Sequence, residues 1–234
     1  MARDDIRGFI RTSLLDWDGK IVSVLYLPGC NFRCPFCHNA GLVLQPGNME
    51  PVEWDVVEDY LSKNGDFIDG ICITGGEPTL HRFLPGLIRK IKDMGLKIKI
   101  DTNGTNPSML ERLIKEGLVD YVSMDVKASL ETYDECAGAR VDIEKVKRSI
   151  RILLRGKVDY EFRTTILPRF HGKEEMRSIG LMIEGAERYV LQQFVPKNTL
   201  EPEFLTERAY SAEEMRALAR EVEPFVKKVD VRGV

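Results

Sequence analysis

The chain alternates short, β-branched apolar runs with longer amphipathic segments, and this alternation restricts its fold more than any other feature. In one such segment, Leu84, Leu87 and Ile91 recur at the spacing of a single helix face. The pattern predicts strands at Ile21–Leu27, Gly70–Thr74, Leu96–Asp101, Tyr121–Asp125, Tyr160–Leu167 and Arg188–Val195. It predicts helices at Val52–Ser62, Phe83–Asp93, Ser108–Lys115, Ile143–Leu154, Glu174–Ile183 and Ala212–Val226.

Strands as short and uniformly apolar as Ile71–Ile73 suit a sheet that is covered on both faces. Repeated strand–helix units of this kind imply parallel strands joined by right-handed crossovers. Six units are too few for a closed eight-stranded barrel. The sequence therefore favours an α/β fold, either a partial, open (βα)6 TIM-like barrel or a doubly wound sheet. Because no linker or low-complexity tract interrupts the pattern, we predict a single domain over residues 1–234.

The composition excludes several classes of protein. Lys and Arg total 34 against 37 Asp and Glu, so the net charge of −3 gives no electrostatic footprint for nucleic acid. The N-terminal segment lacks the apolar run of a secretory signal, and no stretch approaches the roughly 20 apolar residues that cross a bilayer. We therefore predict a cytoplasmic protein that binds neither nucleic acid nor membrane. Three of the five cysteines are clustered, which indicates metal or redox chemistry and not a disulfide framework.

Reactive residue types follow the predicted strands at their carboxyl ends, which is where parallel α/β folds gather their sites. Cys30 follows the first strand and Gly75–Pro78 the second. Asp101–Gly104 and Asp125–Lys127 follow the next two, and Arg163 lies within the fifth. The agreement of several segments on one end of the sheet predicts a functional site there.

The strongest signal is the spacing of Cys30, Cys34 and Cys37 in one tight loop. Three thiolates can bind three irons of a cubane cluster and leave the fourth iron open to a small ligand. A structural zinc site would require a fourth ligand, and the nearby His38 is adjacent to Cys37, which strains chelation of a single ion. A thioredoxin-type redox pair at Cys34 and Cys37 leaves Cys30 unexplained.

The cysteine spacing, with the aromatic Phe36 before the third cysteine, resembles the signature of the radical S-adenosylmethionine (SAM) superfamily. Within it, the chain is similar to the activating proteins of anaerobic ribonucleoside-triphosphate reductase, relatives of the pyruvate formate-lyase activating enzymes. The resemblance runs through Leu15–Lys20, Pro28–Asn39, Thr74–Thr79, Asp101–Gly104, Asp120–Val122 and Asp125–Lys127, and it fades after Leu167. It implies the radical SAM core, with a [4Fe–4S] cluster on the three cysteines and SAM on the open iron.

Gly75, Gly76 and Glu77 have an ordinary explanation as a turn that leaves a buried strand. Glycines nevertheless let a backbone approach a ligand closely, and Glu77 offers a carboxylate to an ammonium group. The resemblance implies that this segment holds the amino group of SAM, and it places Phe36 among the residues that bind the cofactor.

Asp125 and Lys127 can be read as the polar end of a strand, but alternation puts both side chains on the same side. The resemblance implies that Lys127 and Asp125 help to bind SAM, and that acidic residues here and at Asp101 can hold a monovalent cation. It also assigns Arg163 to the SAM site.

The remaining histidines and cysteines carry weaker signals. His38 is either a group that tunes the cluster through a hydrogen bond or an ordinary loop residue. We predict that His171 is structural and that Cys72 is a small buried apolar residue. Cys136 has no cysteine near it in the sequence, so no second cluster motif is present.

The resemblance implies an enzyme that cleaves SAM reductively and forms a glycyl radical on a partner enzyme, best matched by anaerobic ribonucleoside-triphosphate reductase. Flavodoxin or ferredoxin would supply the electron. Two alternatives stay open. One is a radical SAM enzyme acting on a small purine- or cofactor-related molecule, and the other is a zinc- or cluster-binding interaction module without catalytic activity.

Overall fold

A computed structural model describes residues 5–234. The predicted domain and the N-terminal segment also include residues 1–4, which lie outside the described residues. The strands are β1 (Gly8–Ser13), β2 (Val22–Leu27), β3 (Gly70–Gly75), β4 (Lys97–Thr102), β5 (Tyr121–Asp125), β6 (Asp159–Ile166), β7 (Tyr189–Gln193) and β8 (Val229–Arg232). The helices are α1 (Ala40–Leu44), α2 (Trp54–Asn64), α3 (Leu84–Asp93), α4 (Pro107–Lys115), α5 (Tyr133–Ala137), α6 (Ile143–Leu154), α7 (Lys173–Met182) and α8 (Ala212–Val222).

All the predicted strands and helices are present, and most of their bounds agree to within two residues. The exception is α8, which ends at Val222, four residues before the predicted end. Pro224 follows closely and lacks the N–H group that a continuing helix requires. Four short elements, β1, β8, α1 and α5, were not predicted.

The strands form a mostly parallel eight-stranded sheet whose order follows the sequence. β1 pairs antiparallel with β2, whereas β2, β3 and β4 are parallel, with Val24 opposite Cys72 and Cys72 opposite Lys99. β6, β7 and β8 are also parallel, with Thr164 opposite Leu191. The prediction of a largely parallel α/β sheet is therefore confirmed.

Contacts group the chain into two compact units. The first comprises the residues up to Cys30, Gly41–Thr102 and Ser108–Val122. Its β4 strand packs against α3, whose apolar face is fully buried. The second comprises Asn31–Ala40, Asn103–Pro107 and Ser123–Val234.

In the second unit, α7 packs on α8, and the largest buried side chains are aromatic. A single domain over residues 1–234 stays a prediction. Among the described residues, the helices are all too short or too polar to cross a membrane.

Candidate functional site

The three clustered cysteines lie in the loop that follows β2. All five cysteines of the chain carry free thiols; Cys34 is buried, while Cys30 and Cys37 are partly exposed. The backbone N–H of Cys37 donates to the carbonyl oxygen of Cys34 at 3.0 Å, which closes a tight turn between these two residues. The three cysteines of the loop are therefore reduced, and the turn brings Cys34 and Cys37 close together in the chain.

The short helix α5 supports residues 31–40 of this loop. The N–H of Arg33 donates to the carbonyl oxygen of Ala137 at 2.8 Å, and the Phe32 ring meets Tyr133 edge-on at 6.5 Å between centroids. Gly138 ends α5 with a φ of +59°, and a Cβ atom there would clash with the Arg33 carbonyl oxygen. Glycine is thus required where α5 meets the cysteine loop.

Phe36 anchors the same loop through an aromatic cluster. Its ring is buried, with centroids 6.1 Å from Phe170, 6.5 Å from Phe194 and 6.4 Å from Phe204. Such ring contacts stabilise beyond their buried area, so they hold the residue between Cys34 and Cys37 in one position. A contact between Phe36 and SAM stays a prediction.

His38 is held in place by contacts with Phe194 and Val195 of the second unit. Its ring stacks on Phe194 at 6.0 Å, and Nε2 lies 2.8 Å from the carbonyl oxygen of Val195. Asn31, at the other end of the loop, accepts a 2.9 Å hydrogen bond from Asn103 and donates to Thr105 at 3.0 Å. Both ends of residues 31–40 are therefore fixed by polar contacts.

The turn Gly75–Glu77 packs backbone to backbone against the residues that precede Cys30. The N–H of Gly76 donates to Leu27 and that of Glu77 to Gly29, both at 2.8 Å. A Cβ atom on Gly76 would clash with the Gly29 carbonyl oxygen, and Gly75 has a φ of +119°. The glycines are therefore explained by this close approach, and a role in holding SAM stays a prediction.

Glu77 is a buried carboxylate, 1% exposed, held by hydroxyl and amide donors. Its Oε1 atom accepts hydrogen bonds from the Thr102 hydroxyl at 2.7 Å and from the Thr79 N–H at 3.0 Å. The Thr79 hydroxyl also donates to Oε1. These three donors are neutral groups that hold the carboxylate in one orientation. The sequence gives no signal for the two threonines beyond their place beside Glu77 and Asp101.

Asp125, Lys127 and Arg163 come together, as the resemblance implies. Asp125 accepts a hydrogen bond from Arg163 Nε through Oδ1 and from Lys127 Nζ through Oδ2, both at 2.8 Å. Burial alone would raise the pKa of Asp125, but the charges of Arg163 and Lys127 outweigh it and hold this pKa well below its usual range. Burial would lower the pKa of Lys127, but the negative charge of Asp125 keeps it above its ordinary value. All three groups are therefore charged at neutral pH.

Two buried side chains fix the backbone of Lys127. The Cys136 thiol donates to the Lys127 carbonyl oxygen at 3.1 Å, and Nε2 of His171 lies 2.8 Å from the same oxygen. His171 Nδ1 accepts from the N–H of Leu167, so the ring is neutral. Burial lowers the pKa of His171 to about 4 and raises the pKa of the Cys136 thiol. Both residues thus act structurally at a predicted site residue.

β4 carries a buried ion pair between Lys99 and Asp101. Lys99 Nζ lies 2.7 Å from Asp101 Oδ1, and their side chains are 4% and 13% exposed. Cys72 on β3 is fully buried, as predicted, but its Sγ atom lies 3.9 Å from the Lys99 ammonium. The only sequence signal for this pair is a lysine two positions before an aspartate in a strand.

The described residues contain no preassembled group of three or more His, Cys, Asp and Glu side chains around a metal position. The chemistry of three free thiols in one loop fits an iron–sulfur cluster, and their assignment as its ligands stays a prediction.

Comparison with known proteins places the chain in a family. Residues 24–179 match the radical SAM superfamily. A Methanocaldococcus jannaschii protein, provisionally named a glycyl-radical enzyme activating enzyme, is 33% identical over 98% of this chain and 96% of its own length. An S-adenosylmethionine-dependent nucleotide dehydratase of a Thermoplasmatales archaeon is 32% identical, but over only 45% of this chain and 37% of its own.

Solved structures show the same fold. A domain of the pyruvate-formate lyase-activating enzyme of Bacteroides vulgatus has a TM-score of 0.57 and 14% identity, over 70% of this chain and 99% of that domain. Streptococcus suis SuiB bound to S-adenosylmethionine has a TM-score of 0.63 and 15% identity, over 90% of this chain and 52% of SuiB. The predicted fold class and the two cofactors, a [4Fe–4S] cluster and SAM, are confirmed. The chain belongs to the radical SAM superfamily, as an enzyme of the glycyl-radical-enzyme activating type.

Proposed function

We propose that this enzyme cleaves SAM reductively and uses the resulting radical to form a glycyl radical on anaerobic ribonucleoside-triphosphate reductase. The observation that carries the proposal is the match, along nearly the whole chain, to a relative named for glycyl-radical enzyme activation. Such chemistry is carried by the cofactors, so it requires no general base or nucleophile from the protein.

Cys30, Cys34 and Cys37 would hold the cluster through their free thiols. A cluster held there would supply the one electron that reductive cleavage of the C5′–S bond of SAM requires. The hydrogen bonds of Arg33 and the aromatic packing of Phe36 hold the loop that carries two of these cysteines. We propose flavodoxin or ferredoxin as the electron donor, and the cytoplasm, where thiols stay reduced, as the site of action.

The remaining site residues would bind and orient SAM. Glu77, fixed by neutral donors, presents a negative charge that suits the ammonium group of SAM. Asp125 fixes Lys127 and Arg163 in position. An ammonium group has three N–H donors, so Lys127 can bind an oxygen of SAM while it still contacts Asp125. Gly75 and Gly76 allow the backbone to lie close to the cofactor.

Anaerobic reconstitution with iron and sulfide, followed by electron paramagnetic resonance, tests the proposal. With SAM, a reductant and the anaerobic reductase, we expect a glycyl radical on the reductase. Cys34→Ala should lose the cluster and the radical, whereas Cys72→Ala, which removes a thiol outside the loop, should retain about four irons per chain. Retention of SAM cleavage by Cys34→Ala would overturn the ligand assignment.

A second candidate substrate is a nucleotide-like small molecule. It is favoured by the dehydratase relative, of which this chain covers only 37%. SAM cleavage that is stimulated by a purine nucleotide, with no glycyl radical on the reductase, would select this candidate. Stable tetrahedral zinc with no SAM cleavage would favour a binding module instead.

A further inference from the structure

Lys99 is a buried cation in the middle of β4, where neighbouring residues are apolar. Its ammonium nitrogen lies 2.7 Å from Asp101 Oδ1, on the same side of the strand two residues later. A lysine is almost never fully buried unless it is paired, so the contact with Asp101 explains its position. We call these two residues the β4 ion pair.

The β4 ion pair lies beside polar groups of β3. The Thr74 hydroxyl is 3.4 Å from Asp101 Oδ2, and the Cys72 Sγ atom is 3.8 Å from Oδ1. Tyr26, on β2, belongs to the same surroundings: burial, and then the charges of Asp16, Cys72 and Asp101, raise its pKa to about 12. Tyr26 is therefore a neutral phenol at neutral pH. Of the groups named around Asp101, Lys99 is the one that carries a positive charge.

A monovalent metal cation, which the resemblance implies at Asp101 and Asp125, does not fit these surroundings. Asp101 already has an ammonium group at contact distance, and Asp125 has both Lys127 and Arg163 at 2.8 Å. A metal ion at either carboxylate would place a second positive charge beside a buried one, which a site of low dielectric constant disfavours.

We propose that Lys99 is a built-in counter-ion that takes the place of a monovalent metal cation at Asp101, so that SAM binding and cleavage require neither sodium nor potassium. Lys99 is then a positioning residue, which keeps Asp101 ionised and fixed at the carboxyl end of β4. The cleavage part of this inference rests on the proposed function, whereas the charge balance at Asp101 does not.

The test compares potassium, sodium and choline chloride at equal ionic strength. For the wild-type protein we expect the same melting temperature without cofactors, and the same rate of SAM cleavage after reconstitution, in all three salts. A several-fold stimulation of cleavage by potassium or sodium, or a melting temperature that rises with either ion, would overturn the proposal.

Lys99→Met keeps the length of the side chain but leaves Asp101 without its counter-ion. In choline we expect cleavage to fall by about tenfold or more, and potassium or sodium to restore most of it. Lys97→Met removes the same charge at the exposed start of the same strand and should behave like the wild type. Lys99→Arg keeps a cation beside Asp101 and should stay independent of the salt.

The outcomes separate the two proposals. Full activity of Lys99→Met in choline would overturn the role of Lys99, as would a loss that neither metal ion restores. If Lys99→Met fails to fold, the salt series on the wild type decides alone. If the wild type cleaves no SAM in any salt, the proposed function fails, and the melting temperatures still decide whether Asp101 takes up a metal ion.

Discussion

Replacing Gly138 by alanine tests whether α5 positions the cysteine loop. Gly138 has a left-handed backbone, and its Cβ atom would clash with the carbonyl oxygen of Arg33. Alanine in the left-handed region costs roughly 1–2 kcal/mol, and forcing apart packed groups costs a further 1–3 kcal/mol or so. We therefore expect Gly138→Ala to lower the free energy of unfolding by about 2–5 kcal/mol.

Gly156 offers a matched control in the same unit. It follows α6 as Gly138 follows α5, with a φ of +64°, but no atom lies within 4 Å of the position of its Cβ. Gly156→Ala should therefore cost only the left-handed strain, about 1–2 kcal/mol. Any gain from reduced freedom of the unfolded chain is common to both variants and cancels in the comparison.

Urea unfolding of the two variants, without cofactors and under reducing conditions, measures the difference. The excess cost at Gly138 should be about 1–3 kcal/mol, and iron incorporation should fall in this variant and not in Gly156→Ala. Equal costs for the two variants would refute the close packing of α5 on the cysteine loop. Unchanged iron incorporation in Gly138→Ala would show that this packing does not position the ligands.

Three further predictions concern the site and its support. Glu77→Gln keeps the shape of the side chain but removes its charge. SAM affinity, measured by equilibrium dialysis, should therefore fall about tenfold, with little change in the free energy of unfolding. An affinity equal to that of the wild type would exclude an ionic contact between Glu77 and SAM. Asp125→Asn leaves Lys127 and Arg163 without their carboxylate, so the free energy of unfolding in urea should fall by about 3 kcal/mol. A decrease of less than about 1 kcal/mol would contradict this prediction. His171 binds a proton less readily in the fold than in the unfolded chain, because burial lowers its pKa to about 4. Its contribution to stability is therefore complete above about pH 6.5 and declines by about 3 kcal/mol as the pH falls to about 4, and His171→Gln should flatten this part of the urea-derived profile.

The regular elements could be predicted because their signals are local. Each predicted helix shows an apolar face of its own, and each predicted strand is a short run of apolar, aromatic or β-branched residues, in some cases alternating with polar ones. β1 and β8 were missed because neither has a fully buried side chain, so that pairing with a neighbouring strand decides their conformation. α1 and α5 have five residues each, too few for helix propensity to act alone.

The strand β4 was predicted correctly, but its ion pair between Lys99 and Asp101 was not. Its alternation of Lys97, Ile98, Lys99 and Ile100 is typical of a strand with one exposed face. In the structure Ile98 and Ile100 are buried on one side, and Lys99 is buried on the other. The ion pair with Asp101 makes this burial possible, and a pairing of two charges cannot be read from a pattern of hydrophobicity.

For the candidate site too, the sequence suggests individual residues but not the contacts between them. The family resemblance named Glu77, Asp125, Lys127 and Arg163 as candidates for the SAM site, and this assignment stays a prediction. The hydrogen bonds that hold these residues could not be predicted, because Thr102, which donates to Glu77, and Arg163, which donates to Asp125, come from other strands. Hydrogen bonds between strands depend on register, which a single sequence does not fix.

Three carboxylates lie at or just beyond the carboxyl ends of β3, β4 and β5, and their different partners suggest different roles. Asp101 and Asp125 contact protein cations, so their charges are largely neutralised within the fold. The described donors to Glu77 Oε1 are a backbone N–H and two hydroxyl groups, which fix the position of the carboxylate. Because the described hydrogen bonds to Glu77 come from neutral groups, we expect Glu77 to be the member of the three best suited to the ammonium group of SAM. Asp101 and Asp125 instead contact protein cations, and this difference is why removing Lys99 should create a need for a metal ion whereas removing the charge of Glu77 should weaken SAM binding directly.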